Sequence, residues 1–345
     1  MGNYRKETEN RDIERTREFC DEMPEYITQY IRSIQFTTTP KTRLEYIKNI
    51  RQFFGYIMDN RSLGNMKDIS PEILESLDKN YFEEYLDYLQ RYEKDGRIYS
   101  NSAASVKRKL AALRNLYDYM FKSDLIRTNE ILKIKIPKLR SKEIIRLENG
   151  ETVDFINSVE GTANLSKKAG EYHEKQKLRD LAIVYLMLST GIRVSECAGL
   201  NMNDVDFENC RVRVVRKGGN EAYVYFSDEA KDILSLYYDK RKRMHPLEEH
   251  KEALFLSSQH KRMNVRSIEY MVKKYASRSV PLKNISPHKL RSTYATALYK
   301  ETSDIYLVAE NLGHSDINTT RKHYADISNM HREASRNAVE IKKQD

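Results

Sequence analysis

The 345-residue chain has no run approaching the ~18–20 consecutive apolar residues that a membrane-spanning helix needs. Its first residues, Met1-Gly2-Asn3-Tyr4-Arg5-Lys6, hold no apolar core of a secretion signal. Lys6 also stands where a myristoylation signal carries Ser or Thr. Cysteine is scarce: Cys20, Cys197 and Cys210 are odd in number, far apart and outside any CxxC pair. That argues against a disulfide framework or a zinc site and fits a reducing compartment. Neither a GxxxxGK(S/T) phosphate loop nor an HExxH metal motif occurs. Charge, by contrast, is plentiful. Sixty Lys and Arg against 51 Asp and Glu leave a net charge of +9, and charged residues make up 32% of the chain. Hydrophobic residues make up 39%, a share that 24 tyrosines inflate. The length predicts about two domains at ~150 residues each. A moderately basic chain without a membrane segment favours nucleic acid as a partner and a cytoplasmic, nucleoid-associated location.

Residues 1–20 mix five basic with five acidic residues and few apolar ones, which predicts a solvated helix or arm. From about Thr38, Leu44, Ile47, Ile50, Phe54 and Ile57 recur at three- and four-residue steps, the spacing of a helix. Ser70-Pro71 reads as an N-cap followed by a first-turn proline. Further helices are predicted over 80–89 and 101–122, the second with Val106, Leu110, Leu113, Tyr117 and Met120 on one stripe. Gly96 interrupts the pattern between them. Residues 21–135 therefore read as an all-helical bundle. Lys41 and Arg43 interleave with its first stripe, and Lys107, Arg108 and Arg114 lie mostly off its last. These cations form either a solvated face or a phosphate-binding one. A basic linker follows over 136–145, around Pro137, Lys138 and Arg140. It reads as a strap across a phosphate backbone or as a plain tether.

The second half has a different texture. Helices are predicted over 152–158 and 178–188, with a polar loop over 161–177 between them. Arg211-Val212-Arg213-Val214-Val215 and Tyr223-Val224-Tyr225-Phe226 flank Lys217-Gly218-Gly219-Asn220, the signature of a hairpin with a glycine turn. Helices resume over 228–242, 265–275, 287–300 and 305–312. The expected fold is thus multidomain: a helical N-terminal bundle, then an α+β domain with one small antiparallel sheet.

Several short motifs could carry chemistry. Thr190-Gly191-Ile192-Arg193 puts an arginine where a helix starts, a place that favours anions. Ser286-Pro287-His288-Lys289-Leu290-Arg291 reads as a capped helix entry, with His288 and Arg291 on one face. Leu312-Gly313-His314 ends a helix on a glycine and presents a histidine just beyond it. His323-Tyr324 follows, Tyr324 standing ten residues after His314. Taken singly, each motif is also what an ordinary surface helix or turn contains.

Taken together, TGIRVSE, the RKGGN turn, SPHKLRSTYAT, LGHSDINTT and KHYAD stand in one order over 190–328. The set closely resembles the tyrosine recombinase (phage integrase) family. The likeness extends at domain level over about 21–335, although many members place the tyrosine nine rather than ten residues after the last histidine. It implies a helical core-DNA-binding domain over 21–135, a catalytic domain over 146–328 and a tail over 329–345 that docks on a neighbouring subunit. By that resemblance Arg193, Lys217, His288, Arg291, His314 and Tyr324 are catalytic, Tyr324 is the nucleophile, and Glu196 orients the site. It implies a site-specific recombinase, Xer-like or a mobile-element integrase, that works through a 3′-phosphotyrosyl intermediate and a four-way junction. Neither a metal nor ATP is needed. The implied partner is double-stranded DNA with inverted-repeat core sites, bound by a homotetramer or by a tetramer shared with a related recombinase. Two readings compete: a type IB topoisomerase-like enzyme and a non-catalytic DNA-binding protein on the same fold. In this sequence the three nearby tyrosines Tyr294, Tyr299 and Tyr306 fall at helix positions that predict packing.

Overall fold

The computed structural model describes residues 3–137, 145–161, 166–216 and 219–313. The chain divides into two compact units, Asn3–Lys142 and Glu143–Asp345.

The first unit begins with α1 (Asn3–Asp21), α2 (Glu25–Ser33), α3 (Pro40–Arg61), α4 (Pro71–Glu75) and α5 (Lys79–Gln90). A hairpin of β1 (Tyr92–Lys94) and β2 (Arg97–Tyr99) comes next, then α6 (Ala103–Lys122). Side chains set the helix starts. Thr39 accepts from the Thr42 N–H ahead of Pro40, Asp78 from Tyr81, and Ser102 from Ser105. The predicted stripe of α3 is the core: Leu44, Ile47, Ile50, Phe54 and Ile57 are at most 2% exposed. Phe53 packs edge-on against Tyr85, centroids 4.8 Å apart, and stacks on Phe82. Each such buried side chain contributes about 1.5–3 kcal/mol.

Two features of this unit differ from the sequence pattern. The charged N-terminal segment is a helix from Asn3, one of the two forms expected, but it has a covered face rather than a solvated one: Asp12, Thr16 and Cys20 are buried. Its anchors are polar and aromatic, which hydrophobic periodicity does not register. Arg51 of α3 pairs with Glu22 at 2.5 Å and lies over the Phe19 ring. Second, Gly96 does more than interrupt a helix. Asp95 and Gly96 both adopt left-handed φ angles, 52° and 69°, and turn β1 into β2. Asp-Gly is a preferred pair for such a turn, and Tyr92 stacks on its cross-strand partner Tyr99.

The second unit contains α7 (Asn149–Glu160), α8 (Lys167–Thr190), α9 (Val194–Gly199), β3 (Val205–Asp206), β4 (Arg211–Val215), β5 (Glu221–Tyr225), α10 (Asp228–Lys242), α11 (Val265–Ser279), α12 (Pro287–Thr302) and α13 (Ile305–Leu312). The sheet is antiparallel, ordered β3-β4-β5, with Arg211 opposite Tyr225 and Val215 opposite Glu221. Val212, Val214 and Val224 face the core, while Tyr223 and Tyr225 stand exposed on the other face. The predicted hairpin is therefore present, extended by a third short strand.

The expected loop over 161–177 is a correction. From Lys167 onward it is the first half of α8, capped by Ser166, whose hydroxyl accepts from Ala169. The half-helix looked loop-like because its stretch of Lys, Glu and Gln buries His173 and little else. His173 belongs to a buried polar cluster. Its Nδ1 lies 3.3 Å from the Tyr275 hydroxyl, which donates to Asp180 at 2.7 Å. Arg179 donates twice to the same carboxylate and once to the Leu256 carbonyl. Among the described residues no helix is long and apolar enough to cross a membrane.

Candidate active site

The site forms where three chain segments of the second unit meet the end of α13. Helix α8 stops at Gly191, which adopts φ 62°. The Tyr294 ring covers this glycine so closely that an added Cβ would lie 2.9 Å from Cε1 and 3.1 Å from Cγ. Two residues later Arg193 occupies the N-cap of α9. Its backbone N–H donates to Glu196 Oε2 at 2.8 Å, and its Nη1 donates to Glu196 Oε1 at 2.7 Å. Glu196 keeps 4% of its side chain exposed, so one buried carboxylate fixes the arginine from both ends. Arg193 itself remains one-third exposed.

Helix α12 carries His288 and Arg291. Ser286 stands at the cap position but makes no side-chain capping bond; its carbonyl accepts from Lys289 and Leu290 instead. His288 is exposed, one turn ahead of Arg291. Arg291 is 5% exposed and braces the site from within. Its Nη1 donates to the Gly191 carbonyl at 2.6 Å, and its Nη2 donates to the Leu312 carbonyl.

The third segment is the hairpin end. Arg216 Nη2 donates to the Asn311 carbonyl at 2.8 Å, and Arg193 Nη2 donates to the Gly313 carbonyl at 3.0 Å. Three guanidinium groups thus engage the three successive carbonyls of Asn311, Leu312 and Gly313. The last carbonyls of a helix lack intrahelical partners and carry partial negative charge, which accounts for the convergence. Burial pushes the Arg216 pKa down; Glu196 opposes that, Arg193 adds to it, and Glu310 opposes it. Burial raises the Tyr294 hydroxyl above its usual range, with Arg291 opposing.

Arg193, Arg291 and Glu196 are therefore brought together, with His288 on the same helix as Arg291. Lys217, His314 and Tyr324 lie outside the described residues, as do Lys138, Arg140 and the tail over 329–345. Arg216 was not anticipated from sequence. The only available signal is its place beside Lys217 in the turn, where its N–H donates to Asn220 and its carbonyl accepts from Gly219. Of the other tyrosines, Tyr299 is buried and Tyr294 covers Gly191, but Tyr306 is 73% exposed on the first turn of α13 and does not pack as expected.

The basic residues of the first unit divide into two groups. Lys107 and Arg108 are exposed on α6, and Lys41 is exposed beside Glu45, 3.2 Å away. Arg43 and Arg114 instead brace their own unit. Arg43 donates to the carbonyls of Gln35 and Thr38, and Arg114 donates to that of Ile134.

Residues 162–331 match the model described as the Phage integrase family. Among solved structures, the Tn1549 transposon integrase in complex with transposon right end DNA aligns with a TM-score of 0.65 at 17% identity, covering 89% of this chain and 99% of that one. The XerH site-specific recombinase bound to palindromic difH substrate aligns with a TM-score of 0.61 at 20% identity, covering 87% and 80%. The fold is the one these recombinases share. Tyrosine recombinase XerS of Streptococcus agalactiae serotype III (strain NEM316) is 31% identical over 336 residues, covering 89% of this chain and 93% of its own. The chain belongs to the tyrosine recombinase family, and it is an enzyme of site-specific recombination.

Proposed function

We propose that this recombinase cleaves double-stranded DNA at inverted-repeat core sites through a 3′-phosphotyrosyl bond to Tyr324, and exchanges strands through a four-way junction. The observation that carries the reading is the fixing of Arg193 and Arg291 on the successive carbonyls of Gly313 and Leu312, directly ahead of His314 in the chain. The residues that hold these two guanidinium groups immediately precede the motif's last histidine in the chain, and its tyrosine follows ten residues after that histidine. A phosphodiester under attack gains negative charge, and planar, permanently charged forks suit its non-bridging oxygens. His314 adds a further donor.

In the proposed step the Tyr324 oxygen bonds to phosphorus as the bond from phosphorus to the 5′-oxygen breaks. A tyrosine hydroxyl with an ordinary pKa near ~10 is protonated at neutral pH, so His288 takes its proton. Lys217 gives a proton to the departing 5′-oxygen. One phosphodiester replaces another, so the bond energy is stored and neither ATP nor a metal takes part. A 5′-hydroxyl from the second duplex reverses the step and completes exchange. The Lys107 and Arg108 face of α6, Lys41, and the linker residues Lys138 and Arg140 supply backbone contacts.

The likeness to XerS along nine-tenths of both chains supports an Xer-like role in the cytoplasm, on the nucleoid. The assembly we propose is a tetramer on DNA, of this chain alone or shared with a related recombinase, in which residues after about 328 dock on a neighbour. Ala334, Ala338 and Ile341 have the spacing of one helical stripe, too weakly apolar to be stable without a groove.

The roles separate on a substrate whose scissile 5′-bridging oxygen is replaced by sulfur, which leaves without a proton. Lys217→Ala is expected to be severely slow on ordinary DNA and to recover much of its cleavage rate on the sulfur substrate. Arg193→Ala is expected to gain no comparable recovery, because its partner is a non-bridging oxygen. Absence of recovery for Lys217→Ala removes it from the acid role.

A further inference from the structure

We infer that Arg216 is a positioning residue for cleavage, whose guanidinium pins the Lys217-bearing turn to the C-terminal carbonyls of α13. The inference rests on the role proposed above for Lys217.

Three observations carry it. The first is connectivity: Arg216 is covalently next to Lys217, and its backbone closes the turn by donating to the Asn220 carbonyl at 2.8 Å and accepting from Gly219 at 3.0 Å. The second is reach. The side chain crosses to Asn311, 95 residues further along, and donates to its carbonyl at 2.8 Å. Two-stranded hairpin ends have few tertiary neighbours of their own, so one such tie changes where the turn can sit. The third is fit. The guanidinium lies directly on Gly313, where an added Cβ would come within 2.6 Å of both Arg216 Cδ and Cζ. Gly313 also has φ 59°, so backbone and neighbour both demand a glycine there. Arg216 is thus packed into the site beside Arg193 and Arg291, each on its own carbonyl.

The consequence for the reaction is specific. A general acid must come within hydrogen-bond reach, ~2.6–3.2 Å, of the oxygen it protonates. A displacement of about 1 Å can cost ~100-fold in rate. Arg216 sets the turn's distance from the segment that leads into His314, so its loss is felt at the proton donor. Arg193 and Arg291 do not share that consequence, because neither lies next to Lys217 in the chain.

The test uses the full chain and nicked DNA that traps the covalent product, with oxygen or sulfur at the 5′-bridging position. Arg216→Ala is expected to cleave the oxygen substrate ~100-fold more slowly than the unaltered protein, with DNA affinity unchanged, and to come within ~10-fold of it on sulfur. Arg216→Lys, which keeps one donor, is expected to fall between the two. Equal slowing on both substrates, or normal rates on oxygen, overturns the inference. Lys217→Ala run alongside distinguishes the layers. If Lys217→Ala recovers on sulfur and Arg216→Ala does not, only the Arg216 role falls; if Lys217→Ala fails to recover, both fall. Should Arg216→Ala not fold, Arg216→Met keeps the aliphatic stem over Gly313 without the donors and is read in the same way.

Discussion

Gly191 makes the turn between α8 and α9 possible for two separate reasons. Its φ of 62° is strained for any residue with a Cβ, and the Tyr294 ring occupies the space that a Cβ would need. Left-handed backbone costs roughly 1–2 kcal/mol and overpacking roughly 1–3 kcal/mol. Gly191→Ala should therefore lose about 2–4 kcal/mol in urea denaturation; a loss within 0.5 kcal/mol, the scale of a neutral surface change, would mean the turn relaxes. His173 offers a pH test. Burial lowers its pKa and nearby Lys274 lowers it further, Glu174 and Asp180 oppose, and Arg278 again lowers it. A histidine depressed in the folded state leaves the unfolded chain binding more protons, so stability is complete above the ordinary value of ~6.5 and declines as pH falls through it. The denaturation midpoint should drop between pH 7.5 and 5.5, and His173→Gln should flatten that drop. An unchanged slope in the variant would assign the loss to other groups. Arg193 and Arg291 were legible because motif words surround them. Arg216 was not, since the carbonyl it binds lies 95 residues away and no pattern in a turn announces it.

Helix α13 is only eight residues long, yet its last two carbonyls and the one that follows them receive three guanidinium groups. Its start depends on Asp304, whose Oδ1 accepts from the N–H groups of Tyr306 and Leu307. Removing such a cap costs about 1 kcal/mol. Asp304→Ala should lose that amount in denaturation and slow cleavage while single-site DNA binding holds. Normal cleavage in that variant would show that the arginines hold the helix end without its cap. Elements that start on a side-chain cap and carry an apolar stripe, such as α3 and α6, were legible almost to their ends. Those anchored through polar or aromatic groups were not. The first half of α8 buries His173, and α1 is tied down by Arg51, so a hydrophobic period had little to report. The β1–β2 hairpin was written in its Asp95-Gly96 pair, but strands of three residues leave too short an alternation to separate from a helix break.

For the whole molecule, the two-unit division and net charge of +9 suit a protein that grips a duplex through backbone phosphates. Deleting residues 329–345 should leave single-site binding intact but weaken cooperative filling of paired half-sites and strand exchange, measured by gel shift and by product formation. Full assembly by the truncated protein would rule out docking in trans. The helical first unit and the α+β second unit were both legible from periodicity; the identity of the site came from five short words in order, none informative alone. The account as a whole turns on Tyr324. Incubating the protein and its Tyr324→Phe variant with nicked suicide DNA, then scoring covalent protein–DNA adducts on a denaturing gel, tests it most directly. The unaltered chain should form adducts, and Tyr324→Phe should form none while still shifting the same DNA in a native gel. Adducts that persist in Tyr324→Phe would contradict the account.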